Sequence, residues 1–304
     1  MGTLGGMRVF LSYLWWPLLM AVAIAFNAWG MATAGGMKWW PILIFNISYA
    51  ALAITLFVLE RAFPYEPEWN RNDGQMWPDA GHTLLSKIAV QLLIISLAII
   101  GIAEFLPEKG AWWWPHEWPM AAQIVLGLAV AEFGLYWAHR WLHEWPLFWR
   151  FHAVHHSVKR LWFWNTGRFH FIDTLISVFF GLSTALIVGL PNEIIIWVSV
   201  ITAYVGLLTH CNVEMRFGWL NYLFNTPGLH RWHHSMVPEE GNMNYGENLM
   251  IFDQLFGTFF NPDRRPPKEI GIRGEMPATL RGQLVHPFRR RQEQPAPAVI
   301  RAAE

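Results

Sequence analysis

Six apolar stretches of about 20 residues divide this chain, and they decide its fold class before any other feature. They run over roughly 9–33, 41–60, 82–106, 119–138, 171–190 and 192–210. Each is long enough to cross about 30 Å of hydrocarbon as a helix. Charged residues make up 14% of the chain, against about 25% in a soluble domain. The expected fold is therefore an all-α integral membrane protein with about six membrane-spanning or re-entrant helices. The last two stretches meet at Pro191-Asn192 and read as a hairpin or a re-entrant pair. The loop from Pro107 to Pro119 carries Trp112, Trp113, Trp114 and Trp118, a pattern expected of an interfacial belt. A signal peptide is the competing reading of the first stretch, because Ala32-Thr33-Ala34 resembles a cleavage site. Its apolar run is too long for that, and Arg8 is its only basic residue.

Basic residues set the expected orientation. With six spans and an inside N-terminus, the outside loops hold Lys38 and Lys109 alone. The inside segments hold Arg61, Arg71, Arg140, Arg150, Lys159, Arg160, Arg168, Arg216, Arg231 and the basic tail. Residues 1–75 are then N-terminal membrane helices and 76–288 a second unit that holds the other four spans. Residues 289–304, with Arg289-Arg290-Arg291 followed by Pro295 and Pro297, are expected to be disordered.

Histidines gather on the expected cytoplasmic side. His139 and His143 form one cluster, His152, His155 and His156 a second, and His230, His233 and His234 a third. Residues at i, i+3 and i+4 share a helix face, so each cluster is expected to aim at one point. Eight imidazoles are too many for one zinc ion, which takes about four ligands. They suit two transition metals side by side, in a histidine-rich cap on the cytoplasmic face. His170 and His210 each sit at that end of a span and would complete a shell of ten. His82, in Asp79-Ala80-Gly81-His82, reads either as a ligand or, with Asp79, as a residue that orients a ligand or caps a helix. His116 falls on the opposite face and His286 in the tail, so both are expected to be bystanders.

Glu132, Tyr136, His139 and His143 lie on one helical stripe, which Pro146 is expected to end or kink. An acid two turns inside a membrane segment is costly unless paired. Glu132 is thus either a functional residue or a partner of a nearby Arg or Tyr. The lone cysteine, Cys211, excludes an internal disulfide and any cysteine-based zinc site. Zero formal net charge gives no nucleic-acid footprint. His143-Glu144 runs into Trp145-Pro146-Leu147 and is not an HExxH, so the zinc protease reading falls. GxxxxGK and GxSxG are absent as well.

These motifs resemble the fatty acid hydroxylase/sterol desaturase superfamily of integral membrane di-iron enzymes. The resemblance begins at Glu132 with E-x-x-x-Y-W-x-H-R-x-x-H and continues through Phe151-His-Ala-Val-His-His-Ser157. It resumes at Thr226-Pro-Gly-Leu-His-Arg-Trp-His-His-Ser235. Asn244-Tyr245-Gly246 and Asp253-Gln-Leu-Phe-Gly-Thr258 look like the family's closing signature. What the resemblance implies is O₂-dependent oxidation of a C–H bond in a lipid: an acyl chain, sterol, carotenoid, or amino or ether lipid. It implies two iron ions, with zinc able to occupy the same imidazoles in purified protein. It also implies an external electron donor of cytochrome b5 or ferredoxin type, and a bacterial inner-membrane location. His170 answers to a histidine in the family's R-x-H-P, here Arg168-Phe-His170 with Phe171 in place of proline. His210 also matches a family position. Glu132, Tyr136 and Asn244 are the expected catalytic residues. The ten expected metal ligands are His139, His143, His152, His155, His156, His170, His210, His230, His233 and His234. Trp162, Phe163, Trp164 and Phe169 are expected to line a sideways path for the lipid. Hydroxylation is the first reading. Desaturation at the same site and a non-redox metal-binding membrane protein are the alternatives. A transporter would place its ligands near the bilayer midplane, not at one face.

Overall fold

The structure, a computed structural model, describes residues 2–37, 39–99 and 110–289. Among them the regular structure is helical, with three isolated two-residue bridges and no strand. The long helices are α1 (Gly2–Ala32), α2 (Trp39–Ala62), α3 (Met76–Ile99), α4 (Met120–Glu144), α6 (Phe171–Val188) and α7 (Asn192–Thr209). The shorter α5 (Pro146–His156) and α8 (Pro227–His233) carry most of the clustered histidines. Among the described residues five helices are long and apolar enough to cross a membrane, namely α1 from Gly5, α2, α4, α6 and α7. The third expected span starts early, as α3, and its residues 100–106 lie outside the described residues. So do Lys38, Lys109 and the tail 290–304.

Helix α4 is the axis of the bundle. It packs on α6, α7 and α5, while α1 packs on α2 and α7. Gly134 lets α4 approach α6 closely: a Cβ there would stand 2.3 Å from the Phe180 carbonyl oxygen. Small residues at such crossings are how membrane helices gain contact in a solvent as apolar as themselves. A polar knot ties α1, α2 and α7 together. Asn27 Nδ2 donates to Ser48 Oγ at 3.0 Å and to Tyr204 Oη at 2.5 Å. The expected hairpin is present. α6 ends at Gly189, whose φ of 73° is the left-handed conformation that favours glycine, and Pro191 then caps α7.

Proline chemistry also places the site. Trp145 ends α4 and Pro146 opens α5 in its first turn, where a missing N–H costs nothing. The chain thus turns directly from His139 and His143 into His152, His155 and His156. The C-terminal ends of α4 and α7 and the N-terminal ends of α3 and α6 lie together. Hydrogen bonds from His152 to Asp173, from His82 to Phe169 and from His210 to Asn165 tie that layer.

Candidate metal centre

Nine buried histidines form two groups in this layer. His139, His143, His152, His156 and His233 make one. His155, His210, His230 and His234 make the other. Within each group the candidate ligand atoms all lie within 4.8 Å of one another. The sequence reading expected each HxxHH to aim at one point, and here the structure corrects it. His152 and His156 enter the first group while His155 enters the second. His230 and His234 enter the second while His233 enters the first. The reason is helical geometry. At 3.6 residues per turn, i and i+4 stand about 40° apart, but neighbours i+3 and i+4 stand about 100° apart. Each HxxHH therefore presents a pair to one point and a single imidazole to the other. The two groups share a wall, where the His156 and His234 rings stack at 4.3 Å.

The orientation of the rings suits metal ions. His139 Nδ1 donates to the Tyr245 carbonyl at 2.8 Å, and His233 Nδ1 to the Met243 carbonyl at 2.7 Å. His143 Nδ1 donates to Asn242 Oδ1 at 3.1 Å, His210 Nδ1 to Asn165 Oδ1 at 3.0 Å and His155 Nδ1 to the Arg168 carbonyl at 3.3 Å. His152 Nδ1 is 2.8 Å from Asp173 Oδ2. A proton fixed at Nδ1 leaves Nε2 as a lone pair facing inward. These Nε2 atoms crowd together: His139 and His152 at 3.1 Å, His156 and His233 at 3.2 Å, His210 and His230 at 2.9 Å, and His230 and His234 at 3.1 Å. His143 Nε2 is buried with no hydrogen-bond partner among the described residues. Converging lone pairs with no proton between them repel; a cation at their focus turns that repulsion into coordination. Burial acts in the same direction. It pushes His152, His155, His156, His230, His233 and His234 well below the usual histidine range, and His210 down to about 3. These imidazoles are therefore neutral, the form that ligates.

His170 does not join either group. It caps α6: its Nδ1 accepts from the Ile172 amide at 3.2 Å and its Nε2 donates to the Leu284 carbonyl at 3.3 Å. Both ring nitrogens are spent on backbone, and the ring packs against Phe151 and Phe171. His82 likewise stands outside the groups, between the Phe169 carbonyl and Gln283 Oε1. Asp79 pairs instead with Arg168.

The three residues expected to act in catalysis face the scaffold. Glu132 accepts from the amides of Glu247 at 2.6 Å and Asn248 at 3.0 Å, and from Asn248 Nδ2 at 3.0 Å. Tyr136 Oη meets Thr258 Oγ1 at 3.0 Å and accepts from Arg140 at 3.2 Å. Asn244 sits at φ 58°, a conformation asparagine tolerates, and bonds both the amide and the carbonyl of Phe260. Together they fold the segment 242–248 under the first histidine group. That segment supplies the acceptors for His143, His233 and His139, with Glu247 Oε1 a further 3.3 Å from His139 Nδ1. Asp253 holds the same turn by accepting from the amides of Tyr245 and Gly246. Asp173, Asn165 and Asn242 were missed by sequence reading, since a single Asp or Asn carries no motif.

A cavity of about 600 Å³ opens onto the centre. His139 and Glu247 line its inner end from one side, and His155, His210 and His230 from the other. It runs between residues of α2, α3 and α7. Of the aromatics expected along a lipid path, Phe169 lines it, stacked on His155 at 4.1 Å. Trp162, Phe163 and Trp164 are not among its lining residues.

Two adjacent groups of buried imidazoles, at one end of a membrane helix bundle, define an integral membrane protein built around a histidine-rich metal site. Residues 124–258 match the family model described as fatty acid hydroxylase. The chain is 45% identical over 285 residues to ornithine lipid hydroxylase OlsE of Rhizobium tropici, covering 92% of this chain and 85% of that protein. It is 30% identical to the alkylglycerol monooxygenases of Xenopus tropicalis, over 155 residues, and Danio rerio, over 172. Each match spans 51% of this chain and 32% of the relative. No solved structure matches significantly. The chain belongs to the fatty acid hydroxylase superfamily.

Proposed function

We propose that this protein hydroxylates a C–H bond of a membrane lipid, using O₂ and a pair of iron ions. The observation that carries the reading is the sorting of nine buried imidazoles into two adjacent ligand sets at the inner end of a cavity. The similarity to ornithine lipid hydroxylase makes an amino-acid-headed lipid the first substrate to try. His139, His143, His152, His156 and His233 would hold one ion, and His155, His210, His230 and His234 the other. Imidazole shells of this kind suit iron and also zinc, so the metal must be assigned by analysis of active protein. Bound there, the pair supplies the reductive activation of O₂ that an unactivated C–H bond requires.

The overall reaction inserts one oxygen atom into C–H and reduces the other to water, consuming two electrons and two protons. The electrons come from a separate carrier, of ferredoxin or cytochrome b5 type. The chain's own residues keep the ligands fixed. Carbonyls of Met243, Tyr245 and Arg168 hold the Nδ1 protons, and Glu132 holds the loop that presents two of those carbonyls. Burial of all nine rings excludes bulk water from the reacting atoms. The basic inside segments favour the cytoplasmic face of the inner membrane for the site.

The test is lipid mass spectrometry of cells that make ornithine lipid and express wild type or His155→Ala. A lipid one oxygen heavier, dependent on O₂ and present with wild type alone, is the expected result. A lipid two hydrogens lighter would make the enzyme a desaturase. No difference, in a host that supplies reductant, would overturn the oxidase reading.

Asp173 gives a subtler prediction. It is the buried carboxylate behind His152, and its second oxygen has no hydrogen-bond partner among the described residues. Outer partners of this kind typically contribute about 10–100-fold in metal affinity or activity. Asp173→Asn is expected to lose that much, read as iron retained during titration with a chelator. Retention equal to wild type would show that Asp173 merely fills space.

A further inference from the structure

The cavity that reaches the metal centre carries a charge for which the chemistry described so far has no use. Lys87 lies on α3, the one charged residue between His82 and Ile99. It is eleven residues beyond the helix start at Met76, about 16 Å along the axis at the helical rise. A lysine that deep in an apolar helix is costly and tends to mark a substrate pathway. The ordinary escape is for the long side chain to reach back to the interface. Here Nζ turns instead toward α2 and stands 5.9 Å from the centre of the Tyr49 ring. No carboxylate lies within ion-pair distance of it among the described residues.

The surroundings of Lys87 are polar in a pattern. Thr83, Ser86, Lys87 and Gln91 line the cavity from one face of α3, at i, i+3, i+4 and i+8. Asn46 of α2 and Thr202 of α7 line it from the facing helices. A path shaped only for a hydrocarbon tail gains nothing from an amine and two carboxamides. Asn46, Lys87 and Gln91 are all exposed, so they stand at the cavity's mouth and not in its floor.

We infer that Lys87, flanked by Asn46 and Gln91, is a binding subsite for an oxyanion of the lipid substrate. The inference rests on the lipid hydroxylase reading and deepens it, because it names the class of lipid: one that carries a carboxylate or a phosphate. The cavity is continuous from Lys87 to His155 and His210. An anion held at Lys87 therefore fixes which part of the same lipid faces the metals. Lys87 is a specificity residue, and the chemistry itself does not pass through it.

The experiment measures lipid binding, without turnover, to metal-loaded full-length protein in phosphatidylcholine nanodiscs. Two matched pairs are compared: ornithine lipid with its methyl ester, and phosphatidate with diacylglycerol. Wild type and Lys87→Arg are expected to favour the charged member of at least one pair on the order of ten-fold, the effect of one charge-assisted hydrogen bond. Lys87→Met, which suits an apolar helix better than lysine does, is expected to bind both members alike with an unchanged Tm. Preference within the first pair assigns a carboxylate, and within the second a phosphate. Equal binding of both members by wild type, or a preference that survives in Lys87→Met, would overturn the subsite. Either result would leave the hydroxylase reading standing, since that reading is judged by the oxygen-dependent mass gain.

Discussion

His234→Ala is expected to purify with about one metal ion per chain where wild type holds about two, while His143→Ala keeps close to two. The asymmetry follows from the ligand counts. His234 belongs to a group of four, and its loss leaves His155, His210 and His230. Three imidazoles form an open site of the kind that must recruit water to hold its ion. His143 belongs to a group of five, and its loss leaves four, enough for a closed shell. Neither variant should disturb folding much. His234 Nδ1 and His143 Nε2 have no hydrogen-bond partners among the described residues, so few bonds are broken with the ring. Product formation should collapse in His234→Ala by more than the roughly 10–100-fold that follows loss of an outer partner. In His143→Ala it should fall less. Elemental analysis of the purified proteins, paired with lipid mass spectrometry, checks both. Equal metal loss in the two variants would show that the nine histidines do not act as two separate sets.

That split is also where sequence and structure part company. The eight clustered histidines were legible because i, i+3 and i+4 spacing on a helix is a strong local signal, and the structure buries all eight in one layer. Their partition was not legible, because it depends on how α5 and α8 face one another across 75 residues of chain. His210 was legible from its place at the end of an apolar stretch. His170 occupied an equivalent place and came out differently. As the residue preceding α6, it finds an unsatisfied amide at Ile172 closer than any shared focus, and a local side-chain bond wins. The closing signature was visible as a motif, but of its residues Asn244 alone was given a role, a catalytic one. Only the fold shows Glu132, Asn244 and Asp253 holding a backbone turn, with that turn's carbonyls touching the histidines. Apolar spans were legible by length, and the hairpin by Pro191. Lys87 was invisible as a candidate: one lysine in an apolar run has no spacing to read, and only the cavity gives it a direction.

Removing the Arg168 side chain is the second large effect expected, and it acts on stability before chemistry. Arg168 and Asp79 are paired at 2.7 Å with side chains 2% and 1% exposed. The same guanidinium donates to Val154 O at 3.1 Å, Ser157 Oγ at 3.1 Å and Gln75 Oε1 at 3.0 Å. It thereby clamps the end of α5 to the start of α3, and its own carbonyl receives His155 Nδ1. A buried pair adds little net stability over a well-packed apolar substitute. Breaking one side is different, because the survivor is left charged and dry, at a cost of about 3–5 kcal/mol. Arg168→Met should therefore lower stability by about that amount and release metal from the four-histidine group. Arg168→Met with Asp79→Leu removes both charges and should recover a large part of the stability, since no bare carboxylate remains. Recovery of metal should be poorer, because Ser157 and the Val154 carbonyl still lack their donor and the end of α5 is loosened. Denaturant titration in detergent, with metal content followed in parallel, separates the two readouts. A double variant no more stable than Arg168→Met would mean that the hydrogen-bond clamp, and not the ion pair, carries the stability at this corner of the site.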